Sequence, residues 1–212
     1  MTQIAAHGFR TLTLEDVRAT LGHPADLTPH KVRPRLDAPC RAFIARSPFL
    51  TLATMNAAGD ADVSPRGDPP GFVKVLDDNT LVIPERPGNR LIDSLSNILE
   101  TGSVGLLFVV PGVEETLRVN GRATITDDPE LLATMEVKGK PPRLAIVVRV
   151  EQAFVHCAKA FKRSQLWDPA LHVPRKELPS IGEMIKEQID IPEMTAKDID
   201  DFAEDDYRTN MY

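Results

Sequence analysis

Two short segments gather basic and hydroxyl side chains where strands should end. The first, VSPRGDPPG, sets Ser64 and Arg66 beside Gly67, whose missing Cβ lets backbone approach a ligand closely. The second, VIPERPGNR, sets Arg86 and Arg90 between a strand and the start of a helix. A helix N-terminus flanked by arginines suits a phosphate. Its free N–H groups and dipole attract the anion, and guanidinium adds bidentate donors. Asn89 could cap that helix or donate to the ligand. Spacing alone is equally that of solvated or ion-paired surface arginines.

Other chemistries lack their residues. The five histidines, His7, His23, His30, His156 and His172, form no HExxH or HxH pair, which speaks against a metal hydrolase. GxSxG, GxGxxG and the phosphate loop with Gly-Lys-Ser/Thr are missing. Cys40 and Cys157 stand far apart and in no CxxC spacing, so reduced thiols are expected rather than a disulfide or a zinc site. A net charge of −6 argues against a sequence-independent nucleic-acid binder. Neither an apolar signal stretch nor a membrane-length apolar run is present, so a soluble cytoplasmic protein without a membrane partner is expected.

The elements that must position these residues can be read from periodicity. Thr13 caps LEDVRATLG in a loose capping box with Asp16, and HPADLTPHKVRPRLDAP has too many prolines for a long helix. Asp37 caps APCRAFIARS. From Phe49 the period changes to that of strands: FLTLATM, DVSPRG, FVKVL, TLVIPE, SVGLLFVVPG, ETLRVNGRATIT with a bend at Gly121, and RLAIVVRVEQAFVH. Between them RPGNRLIDSLSNILETG reads as a helix with Leu91, Ile92, Leu95, Ile98 and Leu99 at helical spacing, and DDPELLATME as a short one. AKAFKRSQLW, SIGEMIKEQI and the acidic TAKDIDDFAEDDY read as later helices. About six short-spaced strands interrupted by one or two helices predict a mainly β protein, an antiparallel barrel with flanking helices. The expected divisions are a helical extension over 1–48 packed on the barrel, the barrel over 49–169, and a helical tail over 170–212.

The run from Phe49 to Thr126 resembles the FMN-binding split-barrel family related to pyridoxamine 5′-phosphate oxidase, and the likeness reaches Pro169. Four segments carry it: SPRGD, IPERPGNRLIDSLSNIL, LRVNGRA and KAFKRSQLW. The resemblance implies a six-stranded antiparallel split barrel, in a homodimer with FMN at the subunit interface. By position, Asp62, Val63, Ser64, Pro65, Arg66 and Gly67 would run beside the flavin ring and ribityl chain. Val82 and Ile83 would lie near the ring, and Arg86, Asn89 and Arg90 near the phosphate. Thr116 and Arg118 would face the flavin from the barrel, while Lys159, Arg163, Ser164 and Trp167 would reach the partner subunit's FMN. Arg118 is the candidate for an electrostatic role at the pyrimidine end of the ring.

Departures narrow the expected reaction. The oxidase itself has an Arg-Lys pair where this chain has Asn89-Arg90, and a lysine where this chain has Gly67. Its C-terminal arginine and histidine, which hold the pyridoxal substrate, have no recognisable counterpart, which argues against vitamin B6 oxidation. The resemblance therefore implies an FMN-dependent oxidoreductase acting on an unidentified small molecule, with NAD(P)H or that molecule as hydride donor. Alternatives on the same fold are a non-catalytic flavin-binding sensor, or a barrel that holds deazaflavin or haem. Plainer roles stand beside each residue. Arg66 could pair with Asp62 or Asp68, Arg118 with Glu114 or Glu115, and Trp167 and His156 could simply pack. The acidic stretch Asp198–Asp206 could be a solvated face or a cover for the flavin mouth.

Overall fold

The computed structural model describes residues 8–212; the first seven residues of the expected N-terminal extension, His7 among them, lie outside the described residues. The chain divides into two compact units between Val32 and Arg33. The smaller carries α1 (Leu14–Leu21) and a single turn, α2 (Leu27–His30). Thr13 and Asp16 close α1 with a reciprocal capping box, and Gly22 ends it at a φ of 71°.

The larger unit opens with α3 (Ala38–Arg46), capped by Asp37 through the Cys40 N–H. It continues through β1 (Phe49–Met55), β2 (Ala61–Gly67), β3 (Lys74–Val75), β4 (Thr80–Glu85) and α4 (Asp93–Thr101). Then follow β5 (Ser103–Val109), β6 (Thr116–Thr126), α5 (Pro129–Ala133), β7 (Leu144–His156) and α6 (Lys159–Ser164). The tail forms α7 (Ile181–Gln188) and α8 (Ala196–Thr209). All the strands join one sheet in the order β2-β1-β5-β6-β7-β4-β3, with every pairing antiparallel.

Alternation decides which face is core. Leu50 and Leu52, Leu106 and Phe108, Leu117 and Val119, and Ile146 and Val148 point to one side, where α3 adds Cys40 and Ile44 and α4 adds Leu95 and Ile98. A smaller cluster joins Val82 and Ala145 to Leu132 and Met135. The sheet curls until its ends meet: Arg66, closing edge strand β2, pairs with Glu85, closing β4, although four strands lie between them. This is the expected mainly β barrel with flanking helices.

The differences from expectation are local. The sheet has seven strands where the resemblance implied six, and the strand expected at FVKVL is reduced to the two-residue β3. FVKVL does not form a full strand, because Pro69-Pro70 offers no backbone donor and Gly71 turns the chain at a φ of 86°. Phe72 and Val73 enter the core instead. The helix expected from Arg86 begins only at Asp93. Pro87 disfavours a helical Arg86, and Arg90 and Ile92 take φ values of 61° and 56°, so Leu91 and Ile92 end up exposed. Packing divides the chain before α3, whereas periodicity changes only at Phe49.

The bend at Gly121 is a register shift in the β6–β7 pairing. A Cβ there would lie 2.0 Å from the Arg149 carbonyl oxygen, so glycine is required by the close approach of β7. In the tail, Gly182 allows α7 and α8 to touch in the same way, its would-be Cβ 2.0 Å from the Ala196 oxygen. Among the described residues no helix is long and apolar enough to cross a membrane.

The placement of α3 predicts thiol reactivity. Burial, and then the neighbouring Asp37, push the Cys40 thiol up to about 11, whereas Cys157 is exposed. Titration with an aromatic disulfide reagent near neutral pH should find one fast thiol in the native protein and both after denaturation. Two fast thiols in the native state would contradict a core-packed α3.

Candidate functional site

Edge strand β2 sends Asp62, Ser64 and Arg66 inward and leaves Ala61, Val63, Pro65 and Gly67 exposed. The inward side chains meet the first turn of α4. Ser94 Oγ donates to Asp62 Oδ2 at 2.6 Å, and Ser64 and Ser94 hydroxyls lie 3.0 Å apart. Because the single Ser94 proton goes to Asp62, Ser64 must donate to Ser94. Arg66 Nε donates in turn to Ser64 Oγ at 3.3 Å and its terminal nitrogen pairs with Glu85. A second branch runs from Asn97 Nδ2 to Thr54 Oγ1 at 3.0 Å and from Thr54 Oγ1 to Asp62 at 3.3 Å. Donation thus runs in one direction, from the Arg66 cation to the Asp62 anion. Neither Asp62 nor Asp68 is the direct ion-pair partner of Arg66; Glu85 is.

Beside this network lies the loop 86–92. Asn89 is not the helix cap; its Oδ1 accepts from the Leu91 N–H at 3.1 Å. The position before α4 is Ile92, and no side chain caps the helix. The other helices of eight or more residues, α1, α3, α7 and α8, are all capped by side chains. An uncapped first turn keeps its N–H groups and partial positive charge available to an anion. Arg90 is exposed at that turn and makes no ion pair among the described residues.

Arg86 has a different role. Its Nε donates to Asp68 Oδ2 at 2.6 Å and a terminal nitrogen to the Met135 carbonyl at 2.8 Å. The Tyr212 hydroxyl donates to Asp68 Oδ1 at 2.8 Å, which raises the phenol's pKa, and the Arg86 guanidinium lies 5.6 Å from the Tyr212 ring centre. The Asp68 side chain is 1% exposed, so these partners stand in for the water it lacks. The tail therefore does reach the rim of this site, but through Tyr212 rather than through its acidic stretch. Val82 and Ile83 are fully buried in separate clusters, so only their backbone could meet a ligand.

The remaining expected residues form a second group. Leu50, Phe108 and Leu117 stand in one row across the sheet with Arg66, on the core face. Thr116 and Arg118 flank Leu117 and therefore belong to the opposite face. Arg118 Nε donates to His156 Nε2 at 2.9 Å, and its guanidinium lies 4.8 Å from the Phe154 ring centre. Its partner is a histidine, not Glu114 or Glu115; Glu114 instead pairs with Lys162 at 3.0 Å. Lys159, Arg163 and Ser164 are exposed on α6. Trp167 is tethered by Nε1 to the Val113 carbonyl at 2.9 Å and packs on Phe161, ring centres 5.6 Å apart.

One chain therefore gathers the expected residues into two groups on opposite faces: β2 with α4 and the loop 86–92, and β6 with β7 and α6. Sequence reasoning missed Ser94, Asn97, Thr54 and Glu85 in the first and His156 with Phe154 in the second. Ser94 and Asn97 had a signal, since three residues apart on a helix they share a face. Among the described residues no cluster could hold a metal ion.

A curled antiparallel sheet, its first edge strand joined through side chains to β4 and with these segments at its strand ends, defines a split barrel. A family model described as pyridoxamine 5′-phosphate oxidase matches residues 36–157, more than half of the chain. The chain belongs to the pyridoxamine 5′-phosphate oxidase family. No curated protein matches it. Among solved structures it is similar to HupZ of Group A Streptococcus, at 18% identity over 57% of this chain and 93% of that one, TM-score 0.46. An FMN-binding protein from Syntrophomonas wolfei matches at 13% identity over 68% and 97% of the two chains, TM-score 0.43. The haem storage protein HutZ of Vibrio cholerae matches at 17% identity over 57% and 94%, TM-score 0.41. These are distant likenesses, and each ligand named belongs to the protein that holds it.

The contrast between the two loop arginines is testable. Arg86→Ala strands a buried carboxylate and should lower the unfolding free energy by about 3 kcal/mol. Arg90→Ala should change it by less than about 0.5 kcal/mol. Urea denaturation curves check both, and similar losses for the two would contradict the geometry described.

Proposed function

We propose that this protein binds FMN as a homodimer and acts as a flavin-dependent oxidoreductase on a small molecule. The carrying observation is the uncapped start of α4, set beside Arg90, Ser94, Ser64 and Arg66, in a chain of this family. The donor set fits the group. Free N–H groups and an unpaired guanidinium suit a phosphate dianion, and a row of hydroxyls ending in a fixed arginine suits a polyol chain and a ring edge.

FMN, when bound, would supply two-electron redox chemistry that no side chain here offers. The protein's part is to bind and orient. Ser64 and Ser94 would present hydroxyl oxygens held by the Arg66-to-Asp62 hydrogen-bond chain. Glu85 holds Arg66 in place, so little side-chain entropy is left to lose on binding. Arg118, fixed by His156 and Phe154, would bring positive charge to the pyrimidine end of the ring.

The homodimer reading rests on the opposite faces of the two half-sites. In one chain Arg118 cannot be turned toward the face that carries Arg66 without inverting its strand. A second copy can bring the two faces together. The outer face of β2, β1 and β5 suits that contact, carrying Val63 at 65% exposure together with Phe49 and Met55. A reductant such as NAD(P)H, or the substrate itself, would be the hydride donor. A flavin-binding module without turnover, or a barrel holding deazaflavin, is the competing reading. Haem is less well supported, since His156 Nε2 already accepts from Arg118.

The protein should purify yellow, or take up added FMN, and FMN should raise its melting temperature. Arg66→Ala and Arg90→Ala should each abolish that shift. A protein that ignores FMN would overturn the cofactor reading. If FMN binds but NAD(P)H and small-molecule donors never bleach it, the oxidoreductase reading fails and the binding module stands.

A further inference from the structure

A concavity of about 810 Å³ lies at the opposite end of β4 from Glu85, lined by Asp77, Asp78, Asn79, Thr80, Arg122, Thr124, Val147 and Arg149. Thr80 and Glu85 are five strand residues apart, which separates this groove from the β2–α4 site by about 16 Å along the strand. The register shift at Asn120/Gly121 builds it. Asn120 faces Gln152, but Gly121 faces Val150, so Glu151 is skipped. Without the shift Arg122 would face Val150; with it, Arg122 stands directly opposite Arg149, which in turn faces Thr80 on β4.

Two cations placed directly opposite on neighbouring strands cost stability unless something lies between them. Arg122 spends one terminal nitrogen on the Thr101 carbonyl and Ser103 hydroxyl, both at 2.9 Å, and its Nε is 3.9 Å from Glu151. The Arg149 side chain makes no hydrogen bond or ion pair among the described residues, although it lines the groove. Of the two acids in the wall, Asp78 is paired with Arg41 and Asp77 accepts from the Asn79 N–H.

We propose that this groove is a second ligand site, which binds the phosphate of a small phosphomonoester between Arg149 and Arg122. Paired guanidinium forks match tetrahedral oxyanion geometry, and the hydroxyls of Thr80 and Thr124 line the same space. Asp77, which has no cation partner among the described residues, disfavours a second anionic group, so the rest of the ligand is neutral or cationic. The site is independent of the flavin reading, because it shares no residue with the β2–α4 half-site or the Arg118 group.

Calorimetric titration with inorganic phosphate, in a phosphate-free low-salt buffer, tests it on the full chain with and without FMN. Phosphate should bind in both states. Arg149→Gln should weaken binding about tenfold or more, since a charged hydrogen-bond donor is lost. Arg149→Lys should fall in between, and the phosphate binding that persists once FMN fills the α4 site should be the binding that Arg149→Gln removes. The proposal is overturned if phosphate does not bind, if Arg149→Gln binds it as well as wild type, or if FMN displaces it and Arg90→Gln abolishes it.

Discussion

The pairing of Arg66 with Glu85 holds the two ends of a curled sheet together, and the candidate site exists only because that closure is made. Strands β2 and β4 are not neighbours in the sheet; four strands lie between them. Joining their ends brings the SPRGD segment against the loop that follows β4. Both charges are largely screened from water, so each must be satisfied by the other and by hydroxyls, and the Ser64–Ser94–Asp62 chain does this for Arg66. Asp68 and Arg86, two residues past Arg66 and one past Glu85, repeat the closure with Tyr212 as a third partner. The polar network is therefore at once the seam of the barrel and the centre of the candidate site.

A two-residue pleat then separates the predicted contacts. Inward Asp62, Ser64 and Arg66 cannot share a face with outward Arg118, and α6 follows the outward group. A ligand that needs both sets must be met by two chains. Were two copies to pair through the exposed apolar residues of β2 and β1, the same contact would bring the two groups together. Fixing Arg118 on Phe154 and His156 before any ligand arrives leaves less ordering to be done on binding.

Most of the barrel was legible because burial writes itself into alternation. FLTLATM, TLVIPE and SVGLLFV carry their core faces openly, and the Asp37 cap and the bend at Gly121 follow from single residues with one physical use. The start of α4 was not legible. Leu91 and Ile92 keep helical spacing, yet positive φ values at Arg90 and Ile92 hold them outside the helix, and that backbone choice leaves no mark in hydrophobicity. The pairing of Arg66 was hidden for a different reason. Glu85 lies 19 positions away and meets it only once the sheet has closed. Arg86 and Arg90 look alike in the sequence, but only Arg86 points at a buried carboxylate, and the fold alone decides which arginine stays free.

The most direct measurement mixes two variants, Arg66→Ala and Arg118→Ala, each impaired in FMN binding by itself. If the flavin site is shared between copies, a mixed dimer contains one site with both defects and one intact site. Exchanging subunits between the two variants should therefore restore tight FMN binding to a fraction of the sites, visible in the flavin absorbance retained on the protein. A mixture that binds no more FMN than the separate variants, although mass measurement shows that subunits have exchanged, would contradict a site built from two chains.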